Sequence, residues 1–115
     1  MANTFKTVTK AGVTSVDTIY TVAGSTTTVV LGLILGNTTT SQVTTTVTLS
    51  SDTANRAGAN NEANQDVELV TNAPIPAGSS LEMLSGNKVV METTDILKVT
   101  SSGATDVALS IMEIT

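Results

Sequence analysis

Thr26-Thr27-Thr28-Val29-Val30-Leu31-Gly32-Leu33-Ile34-Leu35-Gly36 is the stretch on which the fold turns. Its centre, from Val29 to Leu35, is apolar at every position except one glycine. A helix half buried in a core would show polar residues every third or fourth place, and a half-exposed strand every second place. Continuous apolarity over so short a run fits a strand covered on both faces. A buried helix is the competing reading, but Gly32 and Gly36 and the threonines before them are poor helix formers. The stretch is therefore expected to be the most buried strand of the molecule.

The segments around it repeat the β signal. Asn37-Thr38-Thr39-Thr40-Ser41 reads as a turn. After it Gln42, Thr44, Thr46 and Thr48 alternate with Val43, Thr45, Val47 and Leu49, which gives one polar and one largely apolar face. The two segments together read as a hairpin. Before the central strand, residues 4–9 and 16–22 are runs of β-formers separated by Lys10-Ala11-Gly12, a turn signal, and Val16, Thr18, Tyr20 and Val22 alternate onto one face. Later strand signals fall at 66–71, 81–84, 88–92, 96–101 and 106–114. They are punctuated by Asn72-Ala73-Pro74, Pro76-Ala77-Gly78, Ser85-Gly86-Asn87 and Ser102-Gly103-Ala104.

Composition agrees with the pattern. Of 115 residues, 43 are Thr, Val or Ile, whose branched side chains lose rotamer freedom in helices and fit a pleated sheet. About nine short strands with regular turns and no sustained helical period predict an all-β fold. The expected architecture is a single-domain antiparallel β-sandwich or barrel over residues 1–115, Ig-like or jelly-roll-like. With Phe5 and Tyr20 as the only rings, small branched side chains must fill the core. Residues 50–65, SSDTANRAGANNEANQ, contain no large apolar side chain and read as one long polar loop. The threonine triplets at 26–28, 38–40 and 44–46 are strand composition, since their spacing does not continue as a repeat should.

The residues absent decide much of the chemistry. With no His and no Cys there is no imidazole- or thiolate-based nucleophile pair, no soft-metal site, no haem attachment and no disulfide. A net charge of −5 without any basic run repels phosphate backbones, so nucleic acid is not an expected partner. The opening MANTFKTVTK has no apolar signal segment, and the 29–35 run is far shorter than the ~20 residues that span a bilayer, so neither export nor a membrane is expected. Asn37-Thr38-Thr39 has the form of a glycosylation sequon but reads as a turn asparagine.

Four groups of residues have the chemistry of candidate sites. Asp52, Asn55, Asn60, Asn61, Glu62, Asn64 and Asp66 supply oxygen ligands, yet they lack the alternating acids and glycine of a calcium loop and include Arg56, so a solvated loop is the better reading. Asp17, Glu68, Glu82, Glu92, Asp95, Asp106 and Glu113 read as solvated strand-face or turn charges, not as a catalytic pair. Gly78-Ser79-Ser80-Leu81 and Gly86-Asn87-Lys88 lack the further residues of a nucleophile elbow or phosphate loop and read as turns. Thr44, Thr46 and Thr48 form a row of hydroxyls facing solvent. No catalytic, cofactor-binding or metal-ligating residue is expected, and no enzyme.

At Ala73-Pro74-Ile75-Pro76-Ala77-Gly78-Ser79-Ser80-Leu81, then Gly86 to Glu92 and Asp95 to Ser102, the chain resembles small virion structural proteins of marine and cyanobacterial tailed bacteriophages. The opening Met1 to Lys6 and the stretch from Val29 to Thr39 are similar too. Such chains carry Gly at the place before Asp95, where this one has Thr94, and have a shorter middle loop. The resemblance implies a non-enzymatic structural component of the virion, made in the host bacterial cytoplasm: a capsid decoration or cement protein, or a neck or tail accessory protein. It would act through contacts with other virion proteins, and as a homo-oligomer, with a trimer as the first expectation. An Ig-like adhesion or carbohydrate-binding module is the alternative class, disfavoured by the scarcity of aromatic rings; a small carboxylate enzyme is the third and weakest.

Overall fold

The computed structural model describes residues 2–51, 65–84 and 87–115. Nine strands carry the chain: β1 (Asn3–Val13), β2 (Val16–Thr21), β3 (Thr27–Asn37), β4 (Val43–Ser51), β5 (Gln65–Ile75), β6 (Ser80–Met83), β7 (Val89–Met91), β8 (Ile96–Ser101) and β9 (Thr105–Ile114). No helix occurs among the described residues. The strands form two antiparallel sheets, in the orders β1-β9-β3-β6 and β2-β8-β4-β5, with β7 paired to β3 beyond β6. The expected all-β sandwich of about nine short strands is what the chain builds.

Pairing narrows the architecture. β1 pairs with β9, β2 with β8, β3 with β6 and β7, and β4 with β5, every pair antiparallel. These pairs nest inside one another like a single long ribbon whose open end is β1/β9, and successive pairs alternate between the two sheets. A ribbon wound in this way is a jelly roll. The Ig-like option falls, because its sheets follow a different strand order. The open end is closed by reciprocal backbone hydrogen bonds between Ala2 and Thr115, at 3.2 and 3.0 Å.

Between the sheets lies one apolar cluster. Val13 of β1, Val30, Leu33 and Leu35 of β3, Leu109 and Ile111 of β9, Val47 of β4, Leu97 and Val99 of β8, Ile75 and Met91 are its fully buried members. Branched aliphatics do the packing, as the composition requires, and Tyr20 touches only the margin of the cluster.

Several local expectations are corrected. β3 and β4 do not form a hairpin; they lie in different sheets, and residues 38–42 carry the chain across. Asn37 holds that crossing: its amide donates to the carbonyls of Ser41 (2.8 Å) and Ile75 (2.9 Å), and its oxygen accepts from the Thr39 N–H and hydroxyl, both at 2.8 Å. The turn-asparagine reading thus holds, with the side chain buried. Lys10-Ala11-Gly12 is not a turn but a β-bulge inside β1, with Gly12 at φ +68° and its N–H donating to the Asp106 carboxylate at 2.9 Å. Asn72-Ala73-Pro74 is likewise strand: β5 bulges between Val70 and Ala73, where Asn72 takes φ +48° and its N–H donates to the Thr46 hydroxyl, while Ala73 and Pro74 pair with Thr45 and Thr44. Pro74 is tolerated because β5 is an edge strand.

A third irregularity lies between Thr18 and Tyr20 of β2 and breaks the alternation read there. Val16 and Thr18 are exposed, Ile19 is buried and Tyr20 turns inward. The polar 50–65 loop is trimmed by the strands, since Ser50, Ser51 and Gln65 belong to the β4–β5 ladder; its remainder lies outside the described residues.

Candidate assembly face

The two outer faces of the sandwich differ in kind. Paired residues on neighbouring strands share a side, so the register identifies each face. Outside the β2-β8-β4-β5 sheet stand Val16, Thr18, Ile96, Lys98, Thr100, Thr46, Thr48, Ser50, Asp66 and Glu68. This is a solvent face mainly of hydroxyls and mixed charge, with exposed Val16 on its β2 edge and Ile96 as its apolar members, and it includes the threonine row. Asp66 accepts from the Ser50 hydroxyl at 2.6 Å and Glu68 from the Thr71 hydroxyl at 2.5 Å.

The outer face of the β1-β9-β3 sheet reads across the strands in rows. Phe5, Met112, Val29 and Val90 form one row over β1, β9, β3 and β7. Thr7, Ser110 and Gly32 form the next, followed by Thr9, Ala108, Ile34 and Glu82. Phe5 is 71% exposed, Val90 54% and Ile34 46%. The expectation that β3 is covered on both sides is therefore half right. Its inner residues Val30, Leu33 and Leu35 are buried, whereas on the outer side Ile34 stands open and Val29 only half shielded.

Small residues leave depressions between the apolar ridges. One of about 300 Å³ runs by Phe5, Thr7, Leu31 and Ser110, and one of about 190 Å³ by Leu31, Gly32, Ile34 and Glu82. A third, about 350 Å³, lies between Thr9, Ala108, Gly36 and Asp106. The bulge between Val30 and Gly32 supplies Leu31 as a wall of the first two. Gly32 has open space where a side chain would stand, so the trough is a consequence of the missing Cβ.

The acidic residues are dispersed. Among the described residues no three carboxylates converge as a metal site would require. Asp52, Asn55, Asn60, Asn61, Glu62 and Asn64 lie outside the described residues. Asp17 pairs with Lys10 at 3.6 Å and Asp106 receives Gly12. Two acids depart from the solvated reading. Asp95 is fully buried, with its carboxylate accepting the Glu92 N–H at 3.0 Å across a tight turn. Glu113 faces inward, because β9 turns its odd-numbered side chains to the core; it accepts from the Tyr20 hydroxyl at 2.5 Å and pairs with Lys6 at 2.6 Å.

The electrostatics of that cluster follow from its neighbours. Burial first, then the Glu113 carboxylate beside it, pushes the Tyr20 phenol up to about 12. The Lys6 ammonium, and after it the Tyr20 hydroxyl, hold Glu113 below the usual carboxylate range. The Tyr20 hydroxyl also shares a 2.8 Å hydrogen bond with the Thr28 hydroxyl, so the network ties β1, β2, β3 and β9 together. Of the Gly78-Ser79-Ser80-Leu81 segment only Gly78 and Ser79 lie in a turn, in which the Ser79 N–H donates to the Pro76 carbonyl and Gly78 takes φ +70°; Ser80 and Leu81 begin β6 and pair with Gly36 and Leu35. Gly86 of the other glycine segment lies outside the described residues.

Among known proteins, no family model matches the sequence, and no curated protein is similar to it. The structure is similar to a chain of Bacillus endospore appendages, described as a family of disulfide-linked pili: TM-score 0.45, 14% identity, covering 96% of this chain and 85% of that one. It is also similar to a chain of the Gx strain of infectious bursal disease virus, with TM-score 0.39 and 10% identity over 98% of this chain. A chain of the T13 particle of the same virus gives TM-score 0.26 and 13% identity over 98% of this chain. This chain spans 37% and 39% of the lengths of those two viral chains. Likenesses of this depth do not carry a role from one protein to another.

Proposed function

We propose that this chain is a non-enzymatic structural component of a tailed-phage virion, a capsid decoration or cement protein or a neck or tail accessory, which works by contact with other virion proteins and with its own copies. The observation that carries the reading is the contrast between the two outer faces. One sheet presents mainly hydroxyls and mixed charge to solvent, with Val16 and Ile96 as its apolar members. The other presents Phe5, Met112, Val29, Val90 and Ile34, with Glu82 and Asp106 as the charged residues identified on it. Contiguous apolar exposure on a small soluble domain marks an interaction surface. The dispersed acids and the lack of His and Cys favour shape over chemistry as the working property. The sequence resemblance supplies the virion context, with synthesis in the host cytoplasm and no cofactor, metal, nucleic acid or membrane as partner.

Quantitative mass spectrometry of purified particles against infected-host lysate tests this. The protein is expected to enrich with the particles in many copies, and its loss on purification would refute the reading. The absence of a metal role is checked separately. Melting temperature is expected to stay constant in millimolar calcium, and a rise reversed by chelator would contradict it.

A further inference from the structure

We infer that the outer face of the β1-β9-β3 sheet is a homodimer interface, two copies packing face to face about a two-fold axis that crosses the strands at Ser110. This rests on the reading of that face as a contact surface, and it names the occupant as a second copy. The first support is area. Three strands of about ten residues, with the seven residues of β6 and β7 beside them, at ~4.8 Å spacing and ~3.3 Å per residue give a flat footprint of roughly 600 Å². Side-chain relief raises that toward the ~800 Å² that each partner contributes to a standard stable interface.

The second support is self-complementarity. Rotation about an axis lying along the Thr7–Ser110–Gly32 row brings the row above it over the row below it in the other copy. Phe5 then meets Thr9 and Met112 meets Ala108, so on β1 and β9 the large side chains of one copy enter places where the other is small, while on β3 Val29 meets Ile34, apolar against apolar. The depressions lined by Ala108, Gly36 and Thr9 and by Ser110 and Leu31 are the receiving space. Ser110 and Gly32 at the axis, an exposed serine and a glycine, let the sheets approach closely.

The third support is charge. A chain with net charge −5 repels its own copies in general, and a self-interface must keep its acids apart. The two acids placed on this face, Glu82 and Asp106, both lie on the Ala108 side of the axis. The rotation carries Asp106 opposite Ile114 and Glu82 opposite Val90, so no carboxylate faces a carboxylate. The opposite sheet offers no such arrangement, since Asp66, Glu68 and Lys98 stand among its hydroxyls.

Sedimentation velocity from micromolar to millimolar protein tests the inference on three chains: wild type, Ser110→Lys and Thr46→Lys. Ser110 is exposed, so its lysine variant is expected to keep the wild-type circular dichroism and melting profile. Wild type and Thr46→Lys are expected to dimerise, while Ser110→Lys, which sets two ammonium groups against each other at the axis, remains monomeric. A monomeric wild type, a trimer, or a dimer unchanged by Ser110→Lys overturns the two-fold packing. Each of these outcomes leaves the virion assignment standing if particles contain the protein. A Ser110-dependent dimer missing from particles would support the interface and refute the virion assignment.

Discussion

Thr94 holds φ +74°, a left-handed conformation that a β-branched residue adopts at a cost of about 1 kcal/mol or more. Its N–H donates to the Val22 carbonyl in the turn that buries Asp95, and the neighbouring contacts keep it there. Glycine, with no Cβ, takes this conformation without that cost. Thr94→Gly is expected to raise stability by about 1 kcal/mol in urea unfolding, because the Val22 bond needs only a backbone N–H. The Tyr20 phenol offers a second test, since the chain has one tyrosine and no tryptophan and phenolate absorbance therefore reports this group alone. The folded phenol ionises near 12 against an ordinary value of 10, so the stability linked to it is fully present below pH 10 and is lost as pH rises from 10 to 12. In urea the titration is expected to fall back to about 10; a folded-state titration already at 10 would contradict the network. Glu113 works in the other direction: its pKa is depressed, so its contribution is present at neutral pH and lost as acid protonates it. At this scale the sequence was least legible. A glycine such as Gly12 signals a positive φ, but a turn and a bulge use the same signal, and an acid such as Asp95 gives no hint that a turn will enclose it.

Strands were far easier to read. Each of the nine segments with β signal became a strand, because alternation and branched side chains act locally and need no knowledge of the partner. What they join depends on partners, so adjacency in sequence misled for β3 and β4. Either connection, hairpin or sheet-to-sheet crossing, leaves the same alternating pattern on β4. The Asn37 hydrogen bonds decide for the crossing, and they depend on Ile75, 38 residues away. The core role of β3 is tested by placing a carboxylate on each kind of surface. Leu33→Asp puts an unpaired charge between the sheets and is expected to cost several kcal/mol or abolish folding. Thr46→Asp on the hydroxyl face, where the new carboxylate still accepts the Asn72 N–H, is expected to cost about 1 kcal/mol or less. Gly103 gives a packing test in the turn before β9. A Cβ there would come within 2.8 Å of the buried Val43 side chain, so Gly103→Ala is expected to lower stability by about 1–3 kcal/mol.

At the scale of the whole molecule, the apolar run of β3 is covered by its own chain on one face only. A strand covered on both faces by its own protein and a strand covered on one face by a partner have the same sequence pattern, so the 29–35 run predicted burial without saying whose surface supplies it. The nested ribbon leaves the β1-β9-β3 sheet with one face on the core and one face open, and Phe5, far from that run in sequence, joins the open face only through the pairing of β1 with β9. The central claim is that this open face is where the protein makes its working contacts. Hydroxyl-radical footprinting, comparing free dilute protein with the protein inside purified particles, tests it most directly, since Phe5 and Met112 are reactive side chains on the face and Met91 is a fully buried reference. The expected result is strong labelling of Phe5 and Met112 in the free protein and their protection in particles, with Met91 protected in both. Equal labelling of Phe5 and Met112 in the two states would contradict it.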